Sequence, residues 1–581
     1  MCNILSAMTE NINLIHERVD DIPLLIGVAQ RLSLPEVLDR HLGTHGHHQG
    51  LSNGWLATVW LAYILSEGDH RKSSVEDWVQ QHLNTLQRLV EQPIRPGEFN
   101  DDRLGIVLHR LSSTAAWNGL ETDLWQSTVA VYEMEITGVH LDSTTAKGYH
   151  TPTADGTMQY GYSKDHRPDL PQLKLMAAAA DPSGHLLACD THPGQSADDP
   201  LYIPLLERVR PMVDRRGLLY MGDSKMAAKE IRSSIVAHED YYLFPLPRTG
   251  ETHQQIEQWI SAIVDGEQTA TLIWEGDQLL GGGYEFERVV CAEVGDKQLR
   301  WTERVGVVRS HDLALQQTRQ LETRLAQAKE MLEKLTPQPS RGKRQYRDEE
   351  DLQTAICLIT EQHQLQDLLS VEFEREEKCI TRYVGRGRGG PHRKKRKEVQ
   401  VRYQITDVKR NEAAIAQKRH RFGFRIQATN LPSQQVSLSQ AVVSLRGAWS
   451  IERDFHLLKS RPLGISPLYV RKDDQILGIT RLLTLALRLL TLIETQVRHA
   501  LAADGESLLG LYLGQPNQAT NRPTARRLLK AIARQQSTLT RIEIDGKIRW
   551  HITLPTDLLK RTLLYLRLPV CLYNRLVEDS S

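Results

Sequence analysis

Between residues 139 and 247, short apolar runs and amphipathic stretches alternate in an order that few folds accept. A run at 139–141 ends at Asp142. Runs at 173–180 and 185–190 flank the turn Asp181-Pro-Ser-Gly184, which predicts a hairpin. A helical pattern at 197–213 leads to a run at 218–222 that ends at Asp223. A second helical pattern at 225–238 leads to a strand-like run at 241–247. The order strand, strand, strand, helix, strand, helix, strand predicts three antiparallel strands followed by parallel strands on crossover helices. The expected class is α/β, a mixed sheet flanked by helices.

The flanking text reads differently. Residues 10 to about 130 read mostly as helices, with apolar residues three and four apart over 22–32, 51–67, 74–89 and 101–127. His45, His47 and His48 fall in a Gly- and His-rich loop with no common zinc spacing, and read as surface. Residues 268–303 alternate as strands, 313–335 reads as a solvated antiparallel helical arm, and 399–405 and 422–429 are strand-like. A single helix is expected over 437–459, capped by Ser437 or Ser439, with Leu445, Glu452 and Lys459 on one stripe. Trp449 on it reads as a core residue and His456 as a surface one. The apolar stretch 479–497 contains Arg481 and Arg488, so a buried helix is expected rather than a membrane span. A helix at 524–535 feeds a hairpin around Asp545-Gly546, which reads as a winged module or as a closing element of the core.

Composition excludes several classes. The 581 residues carry 72 Lys and Arg against 72 Asp and Glu, for a formal net charge of zero. Six scattered cysteines without a CxxC argue against a disulfide framework or structural zinc and fit a reducing cytoplasm. The N-terminus lacks the pattern of a signal peptide. Net neutrality hides one basic segment: residues 382–397, RYVGRGRGGPHRKKRK, hold eight Lys and Arg and no acid. Arg393, Lys394, Lys395, Arg396 and Lys397 form its dense end. It reads as a solvated loop or as an arm that contacts phosphate.

Two acids stand in equivalent places, Asp142 in VHLDSTT and Asp223 in LLYMGDSK, each at the end of a short apolar run. Ligands collect at such strand ends in open α/β sheets. Glu452, within WSIERDFHLLK, supplies a third carboxylate from a helix. Three carboxylates suit Mg²⁺, which takes oxygen ligands and keeps substrate phosphates in its shell. Two such ions activate an attacking oxygen and stabilise a leaving one at a phosphodiester. A strand-end Asp is also a common turn cap. Lys164, His166 and Arg167 lie in a polar stretch after the first run, where positive charge would hold DNA.

The blocks VHLDSTT (139–145), GYSKDHRPDLPQLK (161–174), HPGQSADD (192–199), LYMGDSKMA (219–227) and WSIERDFHLLKSRPLGISPLYV (449–470) resemble the DDE transposases of bacterial insertion sequences. Within these the chain is most similar to the IS-four superfamily with the Tyr-Arg-Glu-Lys signature, in the long branch with an N-terminal domain of unknown function. The resemblance covers roughly 10–515. It implies an RNase H-like core with an insertion between the second Asp and the Glu. The implied segments are a helical DNA-end-binding domain (1–130), the core in two parts (131–264 and 431–515), a β-rich insertion with a helical arm and basic loop (265–430), and a C-terminal helix and hairpin tail (516–581). Asp142, Asp223 and Glu452 match the metal-binding acids, and Lys459 matches the Lys that contacts terminal DNA phosphate. Leu445 and Ala448 stand where the signature has Tyr and Arg, with Arg446 and Arg453 as partial substitutes. The implied activity is Mg²⁺-dependent cleavage at terminal inverted repeats and strand transfer into target DNA. Two Mg²⁺ ions are implied, with Mn²⁺ tolerated, and a homodimeric synaptic complex on double-stranded DNA. A nucleoid-associated cytoplasmic protein with no membrane partner is expected. Two alternatives remain open, a metal-dependent nuclease without strand transfer and a decayed DNA-binding relative.

Overall fold

A computed structural model describes residues 12–43, 49–249, 251–340, 342–385, 392–447 and 449–578. His45, His47, His48 and Ala448 lie outside the described residues. The chain divides into two compact units. One comprises 1–244, 291–301 and 444–581; the other comprises 245–290 and 302–443.

The first unit holds the expected sheet. Its strands run in the order His185–Pro193, Gln172–Asp181, Gly138–Lys147, Leu219–Gly222, Tyr241–Pro245. Neighbours among the first three are antiparallel, and the last two run parallel to Gly138–Lys147. This is the mixed order, antiparallel strands and then parallel ones, predicted from the alternation of runs. The helix Asp199–Val213 makes the first crossover, with Pro200 in its first turn, where backbone donors have no intrahelical partner, and Pro204 and Pro211 inside it. The short turn Ser224–Ala227 and the helix Lys229–Ala237 make the second.

The N-terminal helices cover the expected stretches, but 74–89 and 101–127 are each two helices, and Leu34–Leu42 is a helix the spacing did not mark. A strand was not expected there either. Ile12–Arg18 is a strand, antiparallel to Thr538–Ile544, which in turn pairs with Lys547–Ile552. The C-terminal hairpin is therefore part of a three-stranded sheet that closes the core. Its partner strand is remote in sequence, so no local pattern announces it.

The helix Asp473–Asp504 runs through this unit, with 94% of its most apolar window buried inside the protein. Arg481 and Arg488 on it are held internally. Arg481 Nη1 donates to the Leu111 carbonyl at 2.7 Å, and Arg488 pairs with the fully buried Glu121. Both guanidinium groups lie 5.5 Å from the centre of the Trp117 ring. Arg208 reaches the same Glu121 carboxylate.

The sheet strands of the second unit come in the order Phe424–Thr429, Lys297–Ser310, Gln278–Val294, Thr271–Glu275, the middle two giving residues 291–301 to the first unit. The helical arm His311–Leu335 buries Leu321, Leu325, Ala328 and Leu332 at helical spacing against Ile359, Leu365 and Val408. A long antiparallel ribbon, Leu369–Tyr383 with Lys395–Arg410, was legible only over 399–405. The basic segment is the tip of that ribbon, an arm about 50 Å long at ~3.3 Å per residue.

Candidate carboxylate site

The parallel register sets the two aspartates side by side. It pairs Leu141 with Gly222, so Asp142 and Asp223 take the next position on neighbouring strands. Gly222 permits this approach: a Cβ there would stand 2.9 Å from the Leu141 carbonyl oxygen. Asp142 does not end its strand as expected. The antiparallel neighbour carries the strand on to Lys147, pairing Asp142 with Ala177, while the parallel neighbour stops at Gly222. Asp142 thus lies where one edge of the strand loses its partner.

Glu452 arrives from the helix Trp449–Lys459. The single helix expected over 437–459 is two, with Leu438–Arg446 before a turn at Gly447. Gly447 takes the bend. Its N–H bonds to the Ser444 carbonyl three residues back at 2.9 Å. A Cβ at Gly447 would come 2.9 Å from that oxygen and 3.4 Å from the His140 ring. Leu445 therefore does not share the stripe of Glu452 and Lys459, which remain two turns apart on one face. Trp449 is 48% exposed rather than buried, with the Arg453 guanidinium 5.2 Å from its ring centre. His456 is exposed, as its position on the helix surface suggested.

The Asp142 carboxyl feels the other two acids. Burial pushes the Asp142 carboxyl above the ordinary range. The Lys164 ammonium 3.6 Å away and the Ser143 N–H pull it back, and the charges of Asp223 and Glu452 push it up again. Asp223 Oδ1 accepts from the Lys225 N–H at 3.0 Å and from the Tyr202 hydroxyl at 3.2 Å. It is thus a turn cap as well as a member of the cluster. The Tyr202 hydroxyl is held far above its ordinary pKa by burial and then by the charges of Asp223, Asp142 and Asp198.

The polar block at 161–174 ties the site's elements together. Lys164 Nζ donates to the Ser143 carbonyl and to Ser143 Oγ at 2.7 Å. Its neighbour Asp165 accepts from Lys459 Nζ at 2.8 Å. Lys174 and Lys225 both grip Asp198, whose carboxyl they draw down to about 2 against the cost of burial. Spacing alone did not single out Tyr202, Ser143, Asp165 or Asp198. For Ser143, Asp165 and Asp198 the one signal was membership of the polar blocks around the acids; Tyr202 carried none.

Other candidates lie elsewhere. Arg167 makes a two-point bond to Asp169, both contacts 2.7 Å, and His166 is exposed on a left-handed backbone. Arg453 is committed to Glu494 at 2.9 Å and to Asp454. Arg446 is exposed at the end of its helix. Lys394, Lys395, Arg396 and Lys397 are exposed at the ribbon tip, and Arg393 Nε donates to the Val384 carbonyl at 3.1 Å.

The oxygen-only donor set suits a hard divalent cation. Among the described residues, no three His, Cys, Asp or Glu side chains already converge as a finished ligand cage. Asp223 and Glu452 lie close enough for their charges to act on Asp142, and the cation next to Asp142 is an ammonium.

Comparison with known proteins gives the family. Residues 133–489 match the family described as "Transposase DDE domain", and residues 14–120 match a domain of unknown function (DUF4277). No curated protein matches the chain. Among solved structures, a piggyBac transposase synaptic complex with hairpin DNA aligns over 88% of this chain and 80% of that one. The identity is 6% and the TM-score 0.31, too loose a likeness to argue from. The family match spans more than half of the sequence and contains all three acids, so the chain belongs to the DDE transposase family.

Proposed function

We propose that the protein cleaves DNA at the terminal inverted repeats of an insertion sequence and joins the freed 3′ ends to target DNA. Asp142, Asp223 and Glu452 are the catalytic acids. The observation that carries this reading is the placing of Asp142 and Asp223 side by side through adjacent parallel strands, with the charges of Asp223 and of Glu452, from a helix, acting on Asp142. They would hold Mg²⁺, with Mn²⁺ as a substitute; such ions, when bound, lower the barrier at both the attacking and leaving oxygens of a phosphodiester.

The chain's own groups do the rest. Tyr202 and the Lys225 N–H fix the Asp223 carboxylate through two hydrogen bonds. Lys459, on the face of Glu452, offers its ammonium to a terminal phosphate once Asp165 releases it. The exposed lysines and Arg396 at the ribbon tip offer sequence-independent phosphate contacts. No side chain attacks the DNA, so both steps are direct transfers of phosphorus between oxygens. Bringing two ends together calls for two protomers.

The test uses the full chain, a plasmid carrying the gene's own flanking ends, Mg²⁺ or Mn²⁺, and D142N, D223N and E452Q. Joined products from the wild type, lost in each variant, support the reading. Cleavage without joining supports a nuclease instead. End binding without either product supports a decayed relative, the outcome to which Leu445 at the signature Tyr position points.

A further inference from the structure

We propose that the Lys164 ammonium is the built-in counter-ion of the carboxylate cluster, and that it opposes cation binding at Asp142. It keeps the acids together in the cation-free protein and must leave Asp142 when a divalent cation arrives. It thereby sets the affinity of the site. This rests on the reading of Asp142, Asp223 and Glu452 as a cation site.

Three observations carry it. First, like charges gathered at a partly buried site repel, and the Asp142 side chain is only 23% exposed. Some positive charge must offset them. Second, the ammonium against Asp142 is anchored by that acid's own strand. Lys164 Nζ donates to the carbonyl and hydroxyl of Ser143, and the Lys164 N–H donates to Thr145 Oγ1 at 3.2 Å. The charge is thus held in register with Asp142 and is not free for phosphate. Third, the other lysines named around the site have different carboxylates. Lys459 takes Asp165, while Lys174 and Lys225 take Asp198.

The 3.6 Å separation of Lys164 Nζ and Asp142 Oδ1 exceeds a normal hydrogen bond. Asp142 is therefore attracted but not locked, and its oxygens stay available to a metal. A dication bound there would face a like charge a few ångströms away, which the flexible lysine stem relieves only by swinging aside. A lysine placed to bind DNA would behave differently. Its removal would weaken DNA binding and leave cation affinity unchanged.

The experiment titrates metal-free full-length protein with Mg²⁺ and with Mn²⁺ by calorimetry. K164Q is expected to bind either ion about tenfold more tightly than wild type. S143A, which removes one of the two anchors, should move the same way by less, and it serves if K164Q folds poorly. K164R keeps the charge and should stay within about threefold of wild type. In metal-free protein, K164Q should lower the melting temperature in the wild-type background and much less in D142N, where the charge it balances is gone. Equal or weaker cation binding by K164Q and S143A, or a melting loss independent of Asp142, overturns the proposal. If wild type binds neither ion, or D223N binds as well as wild type, the cation-site reading fails. The melting comparison then still decides whether Lys164 balances Asp142.

Discussion

The strand Gln172–Asp181 buries nine of its ten residues, whereas the strand Leu369–Tyr383 buries none. The first contains four consecutive alanines, weak strand formers, and a lysine. It is a strand because neighbours on both edges and layers on both faces make it one, and its lysine is tolerated because Asp198 meets it. The second alternates apolar and charged residues and is held by a single partner strand and cross-strand ion pairs. In the first region a charge is a structural commitment; in the second it is exchangeable. The same division separates the anchored lysines of the carboxylate site from the exposed ones of the ribbon tip.

Breaking the buried side of this comparison should cost most. Glu121→Ala would leave Arg488 without a carboxylate in the core and take one of two from Arg208, which keeps Asp190. A loss of about 3–5 kcal/mol is expected, read from the denaturant midpoint.

His185 sharpens the same region through pH. It is buried, and burial followed by the Arg488 charge holds its pKa down to about 3. The unfolded chain, with an ordinary histidine near 6.5, binds the proton first. Stability from this residue is therefore complete above about pH 6.5 and is lost as pH falls toward 3. His185→Phe should flatten that part of the stability–pH curve, measured by denaturation between pH 4 and 7.

On the exposed side, replacing Lys395, Arg396 and Lys397 with Ala should leave the melting temperature unchanged while weakening DNA binding. For every phosphate no longer neutralised, the slope of log affinity against log salt should fall by about 0.9. The smallest effect belongs to Glu398→Gln, which breaks the exposed pair with Arg382 at 3.3 Å. A stability change under about 1 kcal/mol is expected. A large effect there would collapse the distinction between the two regions.

The core sheet was legible in the sequence because its signals are local: apolar runs, a Pro-Gly turn and helical spacing lie within a few residues of each other. The break at Gly447 was not, because the apolar spacing over 437–459 continues across it while the glycine's close approach to His140 comes from a distant strand. The ribbon strand at 369–383 was missed because its alternation is of charge more than of apolarity. Of the candidate site, the positions of Asp142, Asp223 and Glu452 could be read from their runs. That Lys164 lies on Asp142 and Asp165 on Lys459 could not, since those pairs form across 22 and 294 residues, the first legible only as a basic loop.

The sheet that joins Ile12–Arg18 to Thr538–Ile544 imposes a schedule on synthesis. His16 and Thr540, hydrogen-bonded at 2.9 Å, are 524 residues apart. At about 5–20 residues per second, the first strand leaves the ribosome roughly 25–100 s before its partner exists. Through that interval its edge is unpaired and open to other chains. A message truncated anywhere upstream would leave it unpaired for good, so the last strands of this transposase act as a completeness check on the whole chain.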